Sequence, residues 1–275
     1  MRPVPGGNVG AWMGWLNLGK IIAVTNQKGG VGKTTTAVNL SGCIAALGKK
    51  VLLVDIDPQG NATSGLGRQD GEGSTVYNVL IDGAAARDAI VQTGFGALDL
   101  MPTAIELAGA EIELVSVENR EQLLKNALEG IRNDYDYIFV DCPPSLSLLT
   151  LNALTAADSV LIPIQCEYYA LEGVGQLVNT VRLIRKKLNP GLAVEGILLT
   201  MFDARTNLCA QVVQEVRNHF REEAFETTIP RNVRLSEAPS YGLPIHLYDA
   251  RCSGAKAYQE LARELLERNG DVAGV

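Results

Sequence analysis

Two hydrophobic patterns alternate along the chain. Short, nearly unbroken apolar runs recur at KIIAVTN (20–26), VLLVDID (51–57), ALDLMP (97–102), YIFVDCPP (137–144), SVLIPIQ (159–165), VEGILLTMF (194–202) and FETTIP (225–230). Between them, apolar positions repeat every three to four residues over 33–47, 120–132, 147–157, 170–188, 207–221 and 255–268. The first pattern predicts strands buried on both faces and the second predicts helices. In 33–47 the stripe is Ala37, Val38, Leu40, Ile44 and Leu47, and Gly48 is the stop signal. Strands alternating with helices predict an α/β fold, a mostly parallel sheet with helices on both faces. No linker or repeat interrupts the pattern. One domain is therefore expected over 20–268, with a short tail at 269–275. Gly67–Ser74 is polar and Gly-rich, the best candidate for a mobile loop. Residues 1–19, MRPVPGGNVGAWMGWLNLG, lack the uninterrupted apolar stretch and cleavage site of a secretory signal. They are expected to be a disordered tail or to precede the true start, with Met13 as an alternative start.

Composition narrows the class. With 275 residues, 47% hydrophobic and 20% charged, the chain can bury a full core and is neither disordered nor a small disulfide scaffold. No window holds about 18 consecutive apolar residues, so no transmembrane helix is expected. Cys43, Cys142, Cys166, Cys209 and Cys252 are odd in number and lack CxxC spacing, which predicts reduced thiols of a cytoplasmic protein, most of them core filler. His219 and His246 have no partner cluster, so no zinc site is expected. The net charge is −7, yet residues 180–256 hold eleven Lys and Arg against eight Asp and Glu. That segment is basic inside an acidic protein and can form a basic face.

The chemistry concentrates where the first strand meets the first helix. Lys28-Gly29-Gly30-Val31-Gly32-Lys33-Thr34-Thr35 stands there. Glycines let the backbone approach a phosphate, and N–H groups and the helix dipole converge on the anion. Lys33 would reach the outer phosphates and the Thr34 hydroxyl would bind Mg²⁺. The standard G-x-x-x-x-G-K-[ST] pattern fails at Gln27, and an extra lysine, Lys28, stands beside it. Asp55 and Asp57 end the second strand, and Asp141 ends the fourth. Ligands of open α/β sheets bind at these strand ends, where carboxylates can hold Mg²⁺ through water and orient an attacking water. Pro58 and Pro143-Pro144 then turn the chain out of the sheet, as expected of phosphate-sensing switches.

These residues resemble the deviant Walker A ATPases, specifically the ParA/Soj chromosome-partitioning proteins. The resemblance spans about 20–268. It is carried by NQKGGVGKTTTAVNL (26–40), VLLVDIDPQGNATSGLG (51–67), AGAEIELV (108–115), DCPPSLSLLTLNAL (141–154), IQCEYYALEG (164–173), LLTMFDARTNL (198–208) and IPRNVRLSEAPSYGLPI (229–245). It implies a P-loop ATPase of the deviant type, hydrolysing ATP to ADP and phosphate with Mg²⁺. By this resemblance Lys28 is the signature lysine that contacts phosphate across a sandwich dimer. Lys33 and Thr34 are the cradle lysine and metal ligand. Asp57 positions water with Asp55 beside it, and Asp141 is the Walker B carboxylate. Pro230 and Asn232 fall where the family holds adenine, and Arg205 and Arg234 where it binds DNA non-specifically. The implied partners are a second copy, non-specific DNA and a ParB-type protein, and the implied location is the cytoplasm, on the nucleoid. Influence on replication initiation is within what the resemblance allows.

Three relatives of the class fit less well. A MinD-type membrane ATPase needs a basic amphipathic C-terminus, but residues 257–275 carry two Arg against four acids. Its stripe of Tyr258, Leu261, Leu265 and Leu266 reads as core packing. An iron–sulfur reductase needs paired cysteines, and Cys142 has no evident mate. An operator-reading domain does not fit in the nineteen residues before the first strand. An orphan relative that positions another cargo stays open.

Overall fold

Among the described residues, seven strands run in chain order as β1 (Lys20–Val24), β2 (Val51–Asp55), β3 (Val91–Phe95), β4 (Leu98–Met101), β5 (Tyr137–Asp141), β6 (Ser159–Gln165) and β7 (Ala193–Thr200). They form one sheet in the order β3-β4-β2-β5-β1-β6-β7. Every neighbouring pair is parallel except β3 with β4. The helices are α1 (Lys33–Ala46), α2 (Asn61–Gly65), α3 (Leu107–Glu113), α4 (Leu123–Glu129), α5 (Leu148–Ala156), α6 (Ala170–Lys187), α7 (Asn207–His219), α8 (Val233–Glu237), α9 (Ile245–Tyr248) and α10 (Ser253–Arg268). This computed structural model describes residues 18–68, 73–167 and 170–271. The expected N-terminal tail lies outside them up to residue 17, as does the centre of the Gly67–Ser74 loop.

Strand alternation divides the core into two layers. Ile21 and Ala23 of β1 point to one face, with Leu107, Leu124, Leu149 and Val212 from α3, α4, α5 and α7. Ile22 and Val24 point to the other, with Leu40 and Ile44 of α1 and Leu261 and Leu265 of α10. The α/β fold with helices on both faces is as the pattern predicts. The apolar stripe of α10 is packed core: Tyr258, Leu261, Leu265 and Leu266 are at most 1% exposed. Beyond α10, the region expected to be a tail is bonded as far as it is described. The Asn269 amide donates to Glu195 (2.8 Å), and the Tyr137 hydroxyl donates to Asp271 (2.5 Å).

Several elements differ from the pattern, each for a local reason. The strand β3 is an edge strand with alternating half-exposure and a register shift, so it shows no apolar run. FETTIP and the residue before it run beside β7 and the residues after it but make only isolated bridges, Ile197 to Ala224 and Phe202 to Pro230. Its ladder is interrupted because Glu264 of α10 captures the N–H groups of Glu226 and Thr227, at 2.8 and 2.9 Å. The helix expected over 120–132 is a 3-10 turn, then α4, then a second turn. Four apolar runs leave the sheet early, after Val24, Asp55, Asp141 and Thr200, and their trailing residues form loops at the carboxyl edge.

Gly196 of β7 lies against the ring edge of buried Phe225, where no Cβ fits. The same ring receives the Arg268 guanidinium, 4.3 Å from its centroid. Gly196→Ala is expected to destabilise the fold by about 1–3 kcal/mol, the usual cost of overpacking. Urea denaturation reads this directly, and an unchanged midpoint would mean that the ring moves aside freely.

Candidate functional site

The loop joining β1 to α1 is shaped by its glycines. Gly30 and Gly32 sit at φ +73° and +88°, a left-handed region that suits glycine. Gly32 is also the residue before α1, so no side chain caps that helix, and its first turn carries no acid. The N–H groups of that turn and the helix dipole are left for an outside anion. The loop is held from behind. The Asn26 amide donates to the Pro163 carbonyl (2.7 Å), and its oxygen accepts from the Lys28 N–H (3.0 Å). The Thr200 hydroxyl lies within donating distance of the carbonyls of Val31 (2.9 Å) and Ile164 (3.0 Å), which share its one proton. A cradle built this way is preorganised.

Lys33 lies at the base of the loop, 7% exposed, with its ammonium donating to the Lys28 carbonyl at 3.1 Å. Burial lowers its pKa, and the nearby Asp141 and Asp57 carboxylates work against that shift. Lys28 itself is half exposed and pairs with Glu167 of its own chain at 2.9 Å.

The three carboxylates differ in their partners. Asp55 is fully buried and accepts from the Thr63 N–H (2.8 Å), the Thr63 hydroxyl (2.7 Å) and the Asp57 N–H (3.2 Å). Burial still pushes it up to about 6, against the pull of those hydrogen bonds. It faces α2 rather than the cavity, so its geometry is that of a residue that positions the next turn. Asp57 accepts from the Gln59 N–H (3.0 Å) and lines the cavity. Asp141 is fully buried and neither oxygen has a hydrogen-bond partner. The Thr34 hydroxyl is close enough to favour its charged form without a bond of ordinary geometry. Burial, then the Asp55 charge, push Asp141 well above the usual carboxylate range.

A cavity of about 390 Å³ opens over this cluster, walled by Gly29, Gly30, Gly32, Lys33, Thr34, Thr35, Asp57, Gln59, Asn61, Pro144 and Met201. A second, of about 240 Å³, shares Gly32, Thr35 and Met201 with it and continues to Pro230, Asn232 and Tyr258. The expected adenine positions thus adjoin the cradle. The Asn232 side chain is already engaged, since its oxygen caps α8 at Arg234 N–H (2.8 Å) and its amide donates to Ser253 (2.8 Å). Its backbone and Pro230 are what remain to face a base. Arg205 and Arg234 line neither cavity, and each is held by acids. Arg205 grips Asp203 through two nitrogens, at 2.8 and 2.6 Å, and Arg234 pairs with Glu237 at 2.8 Å.

Sequence reasoning did not single out several wall residues. Gln59 and Asn61 follow Asp57 in the string DPQGN, and that adjacency is their only signal. Met201 adopts φ +53° where β7 ends, between the two cavities. A non-glycine residue held there stores strain at a site, and nothing in a sequence announces it. Among the described residues no three His, Cys, Asp or Glu cluster for a metal.

An uncapped helix start, a buried lysine and an orphaned buried carboxylate beside a threonine hydroxyl fit a nucleoside polyphosphate with a divalent cation. Such a cation would supply what Asp141 lacks. Because the folded-state pKa values of Asp55 and Asp141 are raised, their contribution to stability is full below about pH 4. It is lost as pH rises through about 6 and beyond. Asp141→Asn is therefore expected to raise the melting temperature of the chain in chelator at pH 8, by about 2–4 °C per kcal/mol relieved. The gain should shrink toward pH 4, and an equal difference at both values would contradict the assignment.

Residues 19–194 match the family model described as an AAA domain. The chain is 63% identical over 249 residues to the sporulation initiation inhibitor protein Soj of Bacillus subtilis, covering 90% of this chain and 98% of that one. It is 54% identical over 257 residues to the chromosome partitioning protein ParA of Myxococcus xanthus, covering 93% and 91%. Among solved structures, cobyrinic acid a,c-diamide synthase of Mycobacterium smegmatis, with bound ATP analog and magnesium, superposes with a TM-score of 0.80. It is 37% identical, covering 94% of this chain and all of that one. With this extent of identity along nearly the whole length, the chain belongs to the ParA/Soj family of chromosome-partitioning ATPases.

Proposed function

We propose that this protein is an ATP-driven switch for chromosome partitioning, and that its ATP form is a dimer that holds DNA without regard to sequence. The observation that carries the ATP site is buried Asp141, without a hydrogen-bond partner, beside Thr34 and near Lys33 under the uncapped start of α1. Lys33 and the N–H groups of the loop from Gly29 to Thr35 bind the phosphates. To do so Lys33 leaves the Lys28 carbonyl. Thr34, and Asp141 through water, hold Mg²⁺, which neutralises charge on the phosphate oxygens when bound. Asp57, on the cavity wall, orients the attacking water, and Asp55 fixes Asp57 through the turn they share. Pro230 and the backbone at Asn232 face the base.

Lys28 acts across the dimer. In the single chain its ammonium is paired with Glu167, and both are half exposed, so the pair is weak enough to exchange. The partner's phosphates compete for it. Dimerisation doubles the number of basic groups offered to DNA, and affinity rises steeply with that number. Arg205 and Arg234 contribute to this surface by exchanging Asp203 and Glu237 for phosphate. A ParB-type partner stimulates hydrolysis and so releases the protein from the nucleoid. The core-packed C-terminal helix α10, with three basic residues against three acids, offers a membrane surface no basic apolar face, which favours DNA.

DNA binding on two unrelated duplexes, with ATP, ADP or neither, at two salt concentrations, tests this reading. Binding should require ATP, be equal on both duplexes and weaken with salt. Arg234→Ala should weaken it on both, with a salt slope smaller by about 1 for each phosphate that the arginine neutralises. Nucleotide-independent binding, or none in a chain that dimerises with ATP, would overturn it.

A further inference from the structure

The helix α3 and the turn after it have two apolar stripes. Leu107, Ala110 and Leu114 are fully buried against the sheet. Ile105, Ile112 and Val115 are 67%, 80% and 61% exposed, and Val117 follows at 39%. With exposed Ala108, the outer positions are spaced three, four and three residues, so they form a second line along the outside of one helical segment. Single exposed apolar side chains are ordinary, but an aligned row of them marks an interaction surface.

The charge around this row is one-sided. Residues 104–119 contain Glu106, Glu111, Glu113 and Glu118 and no Lys, Arg or His. The next cation, Arg120, is occupied by the Val115 carbonyl and by Glu121. This charge selects the occupant. A two-fold contact of the stripe with itself would set four glutamates against four. An anionic lipid surface would be repelled.

We propose that the outer face of residues 105–117 docks a basic amphipathic helix of a partner protein. Its apolar residues lie along Ile105, Ile112 and Val115, and its Lys or Arg flank them to meet the glutamates. The surface lies apart from both cavities, so the proposal stands or falls independently of the nucleotide assignment.

The test uses the full, nucleotide-free chain, isotope-labelled for amide spectra. The probe is a helical Leu/Lys peptide of about five turns, with a scrambled peptide of equal composition as control. Shifts confined to residues 104–119, with affinity about tenfold or more weaker for Ile112→Ser and Glu111→Lys and for the scrambled peptide, would support the proposal. Ile112 is exposed enough that the serine variant should fold as wild type, which its melting temperature checks. Equal affinity in the variants, or shifts elsewhere on the acidic surface, would overturn it. So would resonances of 105–117 that move with protein concentration, assigning the stripe to a second copy. A response to deleting residues 1–17 would assign it to this chain's own N-terminal segment and likewise overturn it.

Discussion

A fully buried carboxylate without a hydrogen-bond partner is costly, and the fold carries one at Asp141. Asp55 lies near enough to raise its pKa further, and Lys33 lowers it only in part. The surrounding parts make sense in relation to this cluster. A parallel sheet brings the ends of β1, β2 and β5 side by side, so that one loop and three carboxylates meet. Helix α1, buried on nearly every side, starts at a glycine and leaves its first turn uncapped toward the same place. The chain gives up stability to keep charge and donors ready there. A nucleotide with its cation would complete the cluster.

The polar connections behind the cradle extend its influence. The Thr63 hydroxyl donates to Asp55 and accepts from the Thr103 N–H at 3.1 Å, tying α2 to the segment that follows β4. Thr200 ties the cradle to β6 and stands next to strained Met201. Movement of the cradle therefore has defined routes into α2 and into the end of β7.

Much of this is legible in the sequence because it rests on local rules. Buried parallel strands read as apolar runs, and the Gly-rich loop with Lys33 and Thr34 has fixed spacing. The apolar stripe of helix α10 reads as core, which it is. What escapes depends on tertiary competition. FETTIP has strand composition, but Glu264 takes two of its N–H groups. Edge strand β3 has no continuous run. Asp55 and Asp141 look alike at strand ends, and only the fold shows that one is saturated by Thr63 and Asp57 while the other is bare. The left-handed Met201, and the acids that grip Arg205 and Arg234, likewise appear only in three dimensions.

The most direct measurement is the melting temperature of the full chain with Mg²⁺ and ATP, with ATP and chelator, and with Mg²⁺ alone. If the orphaned Asp141 cluster is completed by both ligands together, the pair should stabilise the chain far more than either alone. The gain is about 2.7 kcal/mol at a hundredfold excess over Kd. Equal stabilisation by ATP with and without Mg²⁺, or none by the pair, would contradict the assignment of that cluster.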